Sequence, residues 1–562
     1  MPRPNTVNTA SDGSEERLAE LLSDFSLESA VKWLRKKFAS FDTSMQSSLP
    51  LGDSKNDQAY FAGIRRLGYV SHLRQDNKTD VNRPLAVIAV RMKKDLSERT
   101  SRSVQFHCAK RLLKEEVEHG QHNLTGMPSQ GIFFFYDDSG HFRISLVTGE
   151  VENRRFKFNE AKRQSFFVDP EAQNNIVKRR LNVALSSYAD LKEAFSVEKL
   201  TKEFYDALFK WYEWAMDPGI GVTFPNDTSR DDDDRKQLSE AMIRLITRLM
   251  FVWFIRQRGI VPCELFQQNE LKTIIRDFKP ESMEQDNYYR VILQNLFFAT
   301  LNCQPDKRKF VSIYRGMSKE QGVKTCYRYA DELFSVDEFQ KLMKPVPFLN
   351  CALFDCLDKT ERPQDGGREI LLDGFSSKPG KRAHVPNGLF FDEAKGLIKL
   401  FSLYEFTVDE NAADDSDVAL DPELLGKVFE NLLGAFNPET QETARKATGS
   451  FYTPREIVDY MVEESLRNYL KSKVPGIDDE RLDDLFDKAR ATEGAPTKFN
   501  LDETNLLLNA LYDCKILDPA CGSGAFPMGV LHCMVRLLGR LDPHNVRQCE
   551  IILKRHKEES TD

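Results

Sequence analysis

The chain has 562 residues, which is too long for a single hydrophobic core and predicts two to four domains. Its hydrophobic content of 41% and charged content of 30% are typical of a soluble globular protein. The formal net charge of −8 excludes an overall basic character, so a surface that binds nucleic acid would have to gather its lysines and arginines on one face.

Signals for membrane insertion, export and metal binding are weak throughout the sequence. The most apolar run, Leu249–Ile255, lies between two arginines and is far shorter than the roughly 18 residues that cross a bilayer, so it predicts a buried helix. Met1–Glu16 is polar and acidic, unlike a signal peptide. The ten cysteines form no CxxC pair, which favours reduced thiols over disulfides or zinc. We therefore expect a cytoplasmic protein with no metal site and no membrane contact.

Residues 1–175 are predicted to form an α/β domain. Leu18, Leu21, Leu22 and Phe25 recur at helical spacing. Pro84–Met92 is short, apolar and β-branched, which predicts a buried strand. A helix and a hairpin with an Asp-Asp-Ser-Gly turn are predicted after it, over Arg99–Glu118, Gly131–Tyr136 and His141–Thr148.

Residues 176–415 are predicted to form a mostly helical connector domain. Ala241–Arg258 is apolar almost all the way round, as expected of a helix at the centre of such a domain. The acidic run Asp231–Asp234 before it is interpreted as a solvated loop with helix-start charges. Thr360–Asn387 predicts a long loop or small irregular insert, and the acidic stretch Glu410–Asp417 separates this domain from the remainder.

The strongest local signal is the string Ile516-Leu517-Asp518-Pro519-Ala520-Cys521-Gly522-Ser523-Gly524. It predicts a strand that enters a glycine-rich turn, followed by an amphipathic helix over Ala525–Leu541 with Pro527 in its first turn. Glycines permit close approach of the backbone to a ligand, and the free N–H groups at a helix start suit an anionic group. Many glycine turns serve packing alone, but the full DPACGSG string is much more specific.

A second string, Gly449-Ser450-Phe451-Tyr452-Thr453-Pro454-Arg455-Glu456, predicts a capped helix start. Thr453 would be the N-cap residue, Pro454 would occupy the first helical position and Glu456 would complete a capping box. Apolar residues then follow at helical spacing. By itself this string indicates only a well-capped helix.

Taken together, GSFYTP followed by DPACGSG resembles the motif order of gamma-class adenine-N6 DNA methyltransferases. Residues 245–266, 346–358, 421–433 and 437–448 look like the corresponding parts of large type IIG enzymes related to Eco57I, so the resemblance covers roughly residues 50–545. It implies S-adenosylmethionine as cofactor and double-stranded DNA as substrate, in a restriction-modification or phage-defence system. It also implies that Asp518, Ala520 and Gly522 contact the cofactor and that Phe451, Tyr452 and Thr453 line the same pocket.

The fold predicted from these observations is mixed α/β and multi-domain. Residues 1–175 would form the N-terminal α/β domain and residues 176–415 the helical connector. Residues 416–562 would form the opening part of a Rossmann-like methyltransferase domain, which the resemblance implies to be incomplete.

The catalytic loop of that family, Asn/Asp-Pro-Pro-Tyr/Phe, is absent, so no catalytic residue is predicted in this chain. Such a loop would accept hydrogen bonds from the adenine amine and stack on the flipped base. We therefore expect a truncated or split enzyme that is inactive alone and is completed by a second polypeptide. The alternative is a non-catalytic scaffold subunit that binds DNA or a partner.

A nuclease activity would need an acidic residue and a Glu-x-Lys pair on adjacent strands to bind Mg²⁺. The predicted strand offers Val90-Arg91-Met92-Lys93, with arginine in place of the acid. Glu160-Ala161-Lys162 matches the Glu-x-Lys pattern but is predicted to lie on a helix or loop rather than on a strand. The first domain is therefore interpreted as a degenerate nuclease-like domain.

Overall fold

The computed structural model describes residues 13–71, 73, 84–96, 102–119, 127–152, 155–225, 231–311, 313–314, 317–318, 324–360, 369–407, 415–420, 453, 455–474, 476–487, 497–519, 521 and 524–559. The described residues group into two compact units. One lies within Met1–Ser196, Asn411–Asp417 and Phe451–Asp562, and the other within Val197–Glu410 and Val418–Ser450.

A mixed β-sheet forms the centre of the N-terminal part. Its strands are β1 (Phe41–Asp42), β2 (Ser47–Leu49), β3 (Phe61–Val70), β4 (Leu85–Met92), β5 (Gln130–Tyr136), β6 (Phe142–Glu152) and β7 (Arg155–Val168), with β12 (Asp415–Asp417) at one edge. The order is β1-β3-β4-β5-β6-β7-β12, and β2 also pairs with β3. Strand β5 is parallel to β4 because helix α4 (Arg102–Glu118) connects them, whereas β5, β6 and β7 are antiparallel neighbours.

Both faces of the sheet are covered, which explains the nearly continuous apolar sequence of β4 and β5. On one face, Ile88 and Phe133 pack against Leu112 of helix α4 in a single apolar cluster. On the other face, Phe134 meets the rings of Trp33 and Phe25. Burial of side chains of this size contributes about 1.5–3 kcal/mol each. The remaining helices of this part are α1 (Ser14–Ser23), α2 (Leu27–Lys37), α3 (Lys55–Tyr60), α5 (Asn175–Leu181) and α6 (Tyr188–Ala194).

The edge strand β12 comes from a distant part of the sequence. It pairs in parallel with β7, with Asp417 opposite Ser165. The Asp417 carboxylate accepts a hydrogen bond from the fully buried guanidinium of Arg143, and Arg102 lies 3.2 Å away. A buried ion pair therefore fixes this strand to the sheet.

The second unit is mainly helical, as predicted for the middle of the chain. Its elements include α7 (Val197–Ala215), α8 (Asp231–Arg256), α9 (Gln268–Ile274), a π-helix (Tyr288–Leu301), α10 (Val336–Met343), α11 (Gly388–Phe391) and α12 (Leu397–Ser402). Short strands form two small hairpins, β8 (Ile313–Tyr314) with β9 (Met317–Ser318), and β10 (Lys359–Thr360) with β11 (Glu369–Ile370). Every residue of the π-helix is buried, so it lies at the centre of this unit.

Five further helices follow near the end of the chain: α13 (Arg455–Lys473), α14 (Asp479–Phe486), α15 (Leu501–Tyr512), α16 (Ala525–Leu541) and α17 (Val546–Glu559). They enclose an apolar cluster that includes Leu470, Leu485, Leu507 and Leu537, each with no exposed surface. Tyr469 of α13 donates a hydrogen bond to the carbonyl of Ala510 on α15, 2.9 Å away.

Several sequence predictions are confirmed by these elements. The helix with Leu18, Leu21 and Leu22 buried, strand β4 and the β5–β6 hairpin are all present, and the mixed α/β class is correct. The Rossmann-like arrangement and the domain limits 1–175, 176–415 and 416–562 stay predictions. The strand predicted to enter the glycine-rich turn is a further wrong prediction, because residues 515–517 form an exposed irregular segment.

Two other predictions were also wrong. Glu160-Ala161-Lys162 lies within strand β7 rather than on a helix or loop. In the structure Ala161 is buried and its neighbour Lys162 is exposed, as expected for alternate residues of a strand. The charged residues around Ala161 make this alternation hard to recognise in the sequence. The acidic run Asp231–Asp234 is the first turn of α8 rather than a loop before it, because acidic residues are favourable at the positive end of a helix.

Candidate functional site

The glycine-rich string lies between an exposed segment and the start of helix α16. Leu517 is 88% exposed, Asp518 after it is half-buried, and Cys521 is exposed. Gly524 has a φ of +87° and its N–H donates to the carbonyl of Cys521 at 2.7 Å, which closes a tight turn immediately before the helix. This left-handed conformation favours glycine. Ala520 and Gly522 lie outside the described residues.

The second string leads into helix α13. Thr453 is half-buried and stands two residues before Arg455, where the helix begins. Phe451, Tyr452 and Pro454 lie outside the described residues, so the predicted capping box stays a prediction.

Helices α13 and α16 pack side by side. Gly529 approaches Val458 so closely that a Cβ atom on the glycine would lie 2.7 Å from the valine Cγ1. Seven residues further along α16 and five residues further along α13, Arg536 donates to Glu463 at 2.7 Å. Because the second contact lies later in the sequence on both helices, the two helices run in the same direction.

This parallel packing places the two strings at the same end of the helix pair. Thr453 precedes one helix and Gly524 precedes the other, so the positive ends of both helices lie at the same end of the pair. Such an end can hold an anionic group, for example a carboxylate. Among the described predicted residues, the structure thus brings Thr453 to the same end as the loop that contains Asp518.

Two opposing effects act on the pKa of the arginine in the ion pair between α13 and α16. Partial burial alone would lower the pKa of the Arg536 guanidinium, but the hydrogen bond to the Glu463 carboxylate, together with the nearby charge of that carboxylate and the Cys533 thiol, raises it. The pair links α13 to α16 and fixes the register of the two helices.

Sequence reasoning missed Gly529, Glu463 and Arg536. The one usable signal was Gly529 itself, because a glycine inside a helix costs about 1 kcal/mol relative to alanine and indicates close backbone packing. The ion pair could not be inferred, since its two residues are on different helices whose mutual orientation no local pattern defines.

Helix α16 carries apolar side chains on two sides. The amphipathic pattern of α16 gives it one apolar side, and Phe526, Val530, Cys533, Met534, Leu537 and Leu538 on that side all pack against the cluster formed by the other C-terminal helices. The side left exposed instead carries Met528, Leu531 and Val535, which are 44%, 51% and 59% exposed. The spacing of three and four residues makes this a second apolar stripe on the same helix.

The apolar stripe continues onto neighbouring segments. Helix α13 leaves Ile457, Tyr460 and Met461 largely exposed beside the contact between Val458 and Gly529, and Ile516 and Leu517 are exposed before the glycine loop. We call these eight side chains the apolar face: Ile457, Tyr460, Met461, Ile516, Leu517, Met528, Leu531 and Val535. Apolar groups at this density indicate a surface that another element covers.

The structure does not assemble a nuclease site from the residues considered in the sequence. Arg91 on β4 forms a two-point ion pair with Asp138, with both hydrogen bonds at 2.9 Å. Glu160 and Lys162 lie on β7, and β5 and β6 stand between these strands. At about 4.8 Å per strand, β4 and β7 are roughly 14 Å apart, too far for one metal site.

In the described part of the chain, no three histidine, cysteine or acidic side chains come close enough together to hold a metal ion. None of the helices described is both long and apolar enough to cross a membrane.

Comparison with known proteins gives one informative similarity. No known family description matches the sequence, and no solved structure matches it. The chain is 26% identical over 334 residues to a protein of Methanocaldococcus jannaschii that is provisionally named a type II restriction enzyme and methyltransferase. The aligned part is 57% of this chain and 22% of that protein, so the chain spans about a fifth of its relative. This similarity supports a relation to restriction-modification methyltransferases.

Proposed function

We propose that the chain forms the cofactor-loop part of a DNA adenine-N6 methyltransferase that uses S-adenosylmethionine and acts in a restriction-modification or phage-defence system. The observation that carries this proposal is the parallel packing of α13 and α16, with both sequence strings at one end. The similarity to the M. jannaschii protein supports the same class of enzyme. The gamma class and the type IIG organisation are part of the proposal.

The residues present suit the proposed cofactor. The left-handed Gly524 turns the chain sharply into α16, and two positive helix ends can hold the carboxylate of a methionine moiety. Asp518, Ala520 and Gly522 would contact the cofactor, and Phe451, Tyr452 and Thr453 would line the same pocket. When bound, S-adenosylmethionine supplies an activated methyl group on its sulfonium sulfur.

Methyl transfer also needs a group that binds the adenine amine, and the 562 residues offer no Asn/Asp-Pro-Pro-aromatic string for this role. We propose that this loop is carried by a second polypeptide or further segment that docks on the apolar face. Strands from that element would cover Leu517 and the stripe from Met528 to Val535. These apolar side chains are exposed, and such exposure is typical of a surface that binds another element. Duplex DNA would bind the completed enzyme in the cytoplasm.

The second candidate is a non-catalytic subunit that binds DNA or a partner through a degenerate nuclease-like domain. The absence of the catalytic string favours it, as does the pairing of Arg91 with Asp138 where a nuclease would need a free acid. An adjacent reading frame that encodes Asn-Pro-Pro-Tyr would favour the split enzyme instead.

Co-expression distinguishes the two candidates. The chain is purified with a polypeptide that carries such a loop, and incorporation from labelled S-adenosylmethionine into adenine of mixed-sequence duplex DNA is measured. We expect incorporation by the pair, and its loss in Gly524→Ala, whose strained turn costs about 1–2 kcal/mol. Gly539→Ala is the matched control, because a Cβ at Gly539 meets no atom within 4 Å. Equal activity of both variants would contradict the role of this loop.

A further inference from the structure

Three hydrogen-bond donors inside the helical unit are buried without an acceptor. They are the indole Nε1 of Trp253, the guanidinium Nε of Arg256 and the hydroxyl of Tyr288, and none of these atoms has a hydrogen-bond partner among the described residues. We call the three side chains the donor cluster. Buried polar atoms of folded proteins are almost always hydrogen-bonded, so donors left over in this way indicate a missing acceptor.

Helix α8 and the π-helix bring the donor cluster together. Arg256 is the last residue of α8 and Trp253 stands three residues before it, which places both on the same face of the helix. The guanidinium carbon of Arg256 lies 4.5 Å from the centre of the Trp253 ring. Tyr288 is the first residue of the π-helix, and Arg256 is the group whose charge acts on its hydroxyl. Arg256 therefore links the other two donors.

The side chains packed against the donor cluster are aromatic and offer it no acceptor. The ring centre of Phe266 lies 5.5 Å from that of Trp253 and 5.5 Å from the guanidinium carbon of Arg256. The ring centre of Phe391 lies 4.6 Å from that of Tyr288. Trp253 is 3% exposed and Tyr288 has no exposed surface, so these rings exclude water from the donors without replacing its hydrogen bonds.

The environment of Arg256 differs from that of the paired arginines of this chain. Burial lowers the pKa of the Arg256 guanidinium, and the groups whose charges oppose this effect are Cys263 and Tyr288 rather than a carboxylate. Arg536 is also partly buried, but there the Glu463 carboxylate contributes to a raised pKa. Because Arg256 is only half-buried, a solute can reach it from the surface.

The carbonyl end of α8 explains the charge of Arg256 but not its unpaired Nε. A cation is favourable in the last turn of a helix, and Arg256 occupies that position. The nearest carbonyls, those of residues 254–256, already accept the backbone N–H groups of residues 257–259. The helix end therefore stabilises the positive charge without supplying the acceptor that the side chain lacks.

We propose that the donor cluster binds an oxyanion, namely a carboxylate or phosphate group of a small molecule. Indole and guanidinium groups only donate hydrogen bonds, and burial raises the pKa of Tyr288, so its hydroxyl keeps the proton that it can donate. An oxyanion only accepts, and hydrogen bonds to a charged partner are the stronger ones. A single water molecule could accept from two of the donors, but its own hydrogens would find no acceptor among these side chains.

The test follows the indole N–H signals of the full chain after ¹⁵N labelling of its tryptophans. The chain has four tryptophans, and the signal that disappears in Trp253→Phe belongs to Trp253. Inorganic phosphate and acetate are titrated separately, with sodium chloride at the same ionic strength as the reference. We expect phosphate or acetate to move the Trp253 signal downfield to saturation, while the other indole signals stay in place. Saturation by phosphate assigns a phosphate ligand, and saturation by acetate assigns a carboxylate ligand.

Conservative variants test the other two donors. Arg256→Lys keeps the charge but loses the planar guanidinium, and it should weaken oxyanion binding at least about tenfold. Tyr288→Phe should weaken binding about threefold or more, yet leave the thermal stability of the free chain unchanged or higher, because its hydroxyl loses no partner. Tyr329→Phe is the matched control: its hydroxyl lies 3.0 Å from Oε1 of Gln294 and from the carbonyl of Ser376, so this variant should lose stability but keep oxyanion binding.

Three results would overturn the proposal. One is the absence of a saturating shift with both oxyanions, and another is an equal shift with sodium chloride, which would leave only water or a general salt effect at the donor cluster. The third is a loss of stability in Tyr288→Phe as large as that in Tyr329→Phe, which would mean that the Tyr288 hydroxyl already has a partner. The proposal concerns the helical unit and does not rest on the proposed function, so methyl transfer by the completed enzyme is tested independently of it.

Discussion

Gly529 and Val458 are in direct contact, with the valine Cγ1 in the place that a side chain on the glycine would occupy. The contact sets the distance between α13 and α16 in their first turns, next to the two sequence strings. A substitution that increases the distance between Gly529 and Val458 should therefore also move apart the two helix starts of the candidate site.

Gly529→Ala should therefore destabilise the C-terminal helices, because the new methyl group overlaps Val458. Overpacking costs about 1–3 kcal/mol, and the gain in helix propensity offsets up to about 1 kcal/mol of this. Gly539→Ala on the same helix, where a Cβ meets no atom within 4 Å, should instead stabilise. Urea unfolding followed by circular dichroism compares the two, and a stabilised Gly529→Ala would contradict the close contact.

The 562-residue chain alone should transfer no methyl group to DNA. Without the catalytic string nothing at the reacting centre accepts hydrogen bonds from the adenine amine. Incubation with labelled S-adenosylmethionine and mixed-sequence duplex should give only background incorporation. Clear labelling of adenine would show that another group in this chain performs that role.

Cofactor binding by the chain alone should be weak or absent. The loop before α16 offers backbone donors for one end of the cofactor, whereas nucleotide-binding folds also use an acidic residue after a later strand to bind the ribose. Titration calorimetry should show no saturation in the micromolar range, where binding would be worth about −8 kcal/mol. Micromolar affinity would mean that these residues complete the pocket themselves.

Hydrogen exchange should be uneven across the C-terminal helices. Amides around Leu507 and Leu537 are in the closed apolar cluster and should exchange slowly. Those of residues 515–519, which are largely exposed and form no strand, should exchange quickly and slow only when a complementary polypeptide covers the apolar face. Strong protection of residues 515–519 in the chain alone would argue against a docking element.

Asp417→Asn should loosen the edge of the N-terminal sheet. It leaves the buried Arg143 guanidinium without its carboxylate, and loss of one partner from a buried ion pair costs about 3–5 kcal/mol. The same change at Asp138, whose pair with Arg91 is exposed, should cost less than about 1 kcal/mol. Exchange rates of the β6 amides report the difference, and equal effects of both variants would mean that the buried pair contributes nothing.

The sequence predicted elements whose signals are local. Strand β4 and the β5–β6 hairpin were predictable because burial on both faces leaves an apolar run and Asp137–Gly140 forms a turn. Strand β7 was not, because its charged residues look like a loop and its edge partner comes from residues 415–417. At the candidate site the glycine string could be identified, but the parallel packing at Gly529 depends on tertiary contacts that no window of sequence contains.

Strand β12 has a consequence for synthesis of the protein on the ribosome. Residues 169–414 must all emerge after β7 and before Asp415–Asp417 can pair with it. Until then the nascent chain exposes the open edge of β7, which can pair with strands of other nascent chains, and leaves Arg143 without its carboxylate. Completion of the first sheet thus waits for translation of residues 169–414, so a shortened message that ends before Asp415 yields a sheet that stays open at this edge.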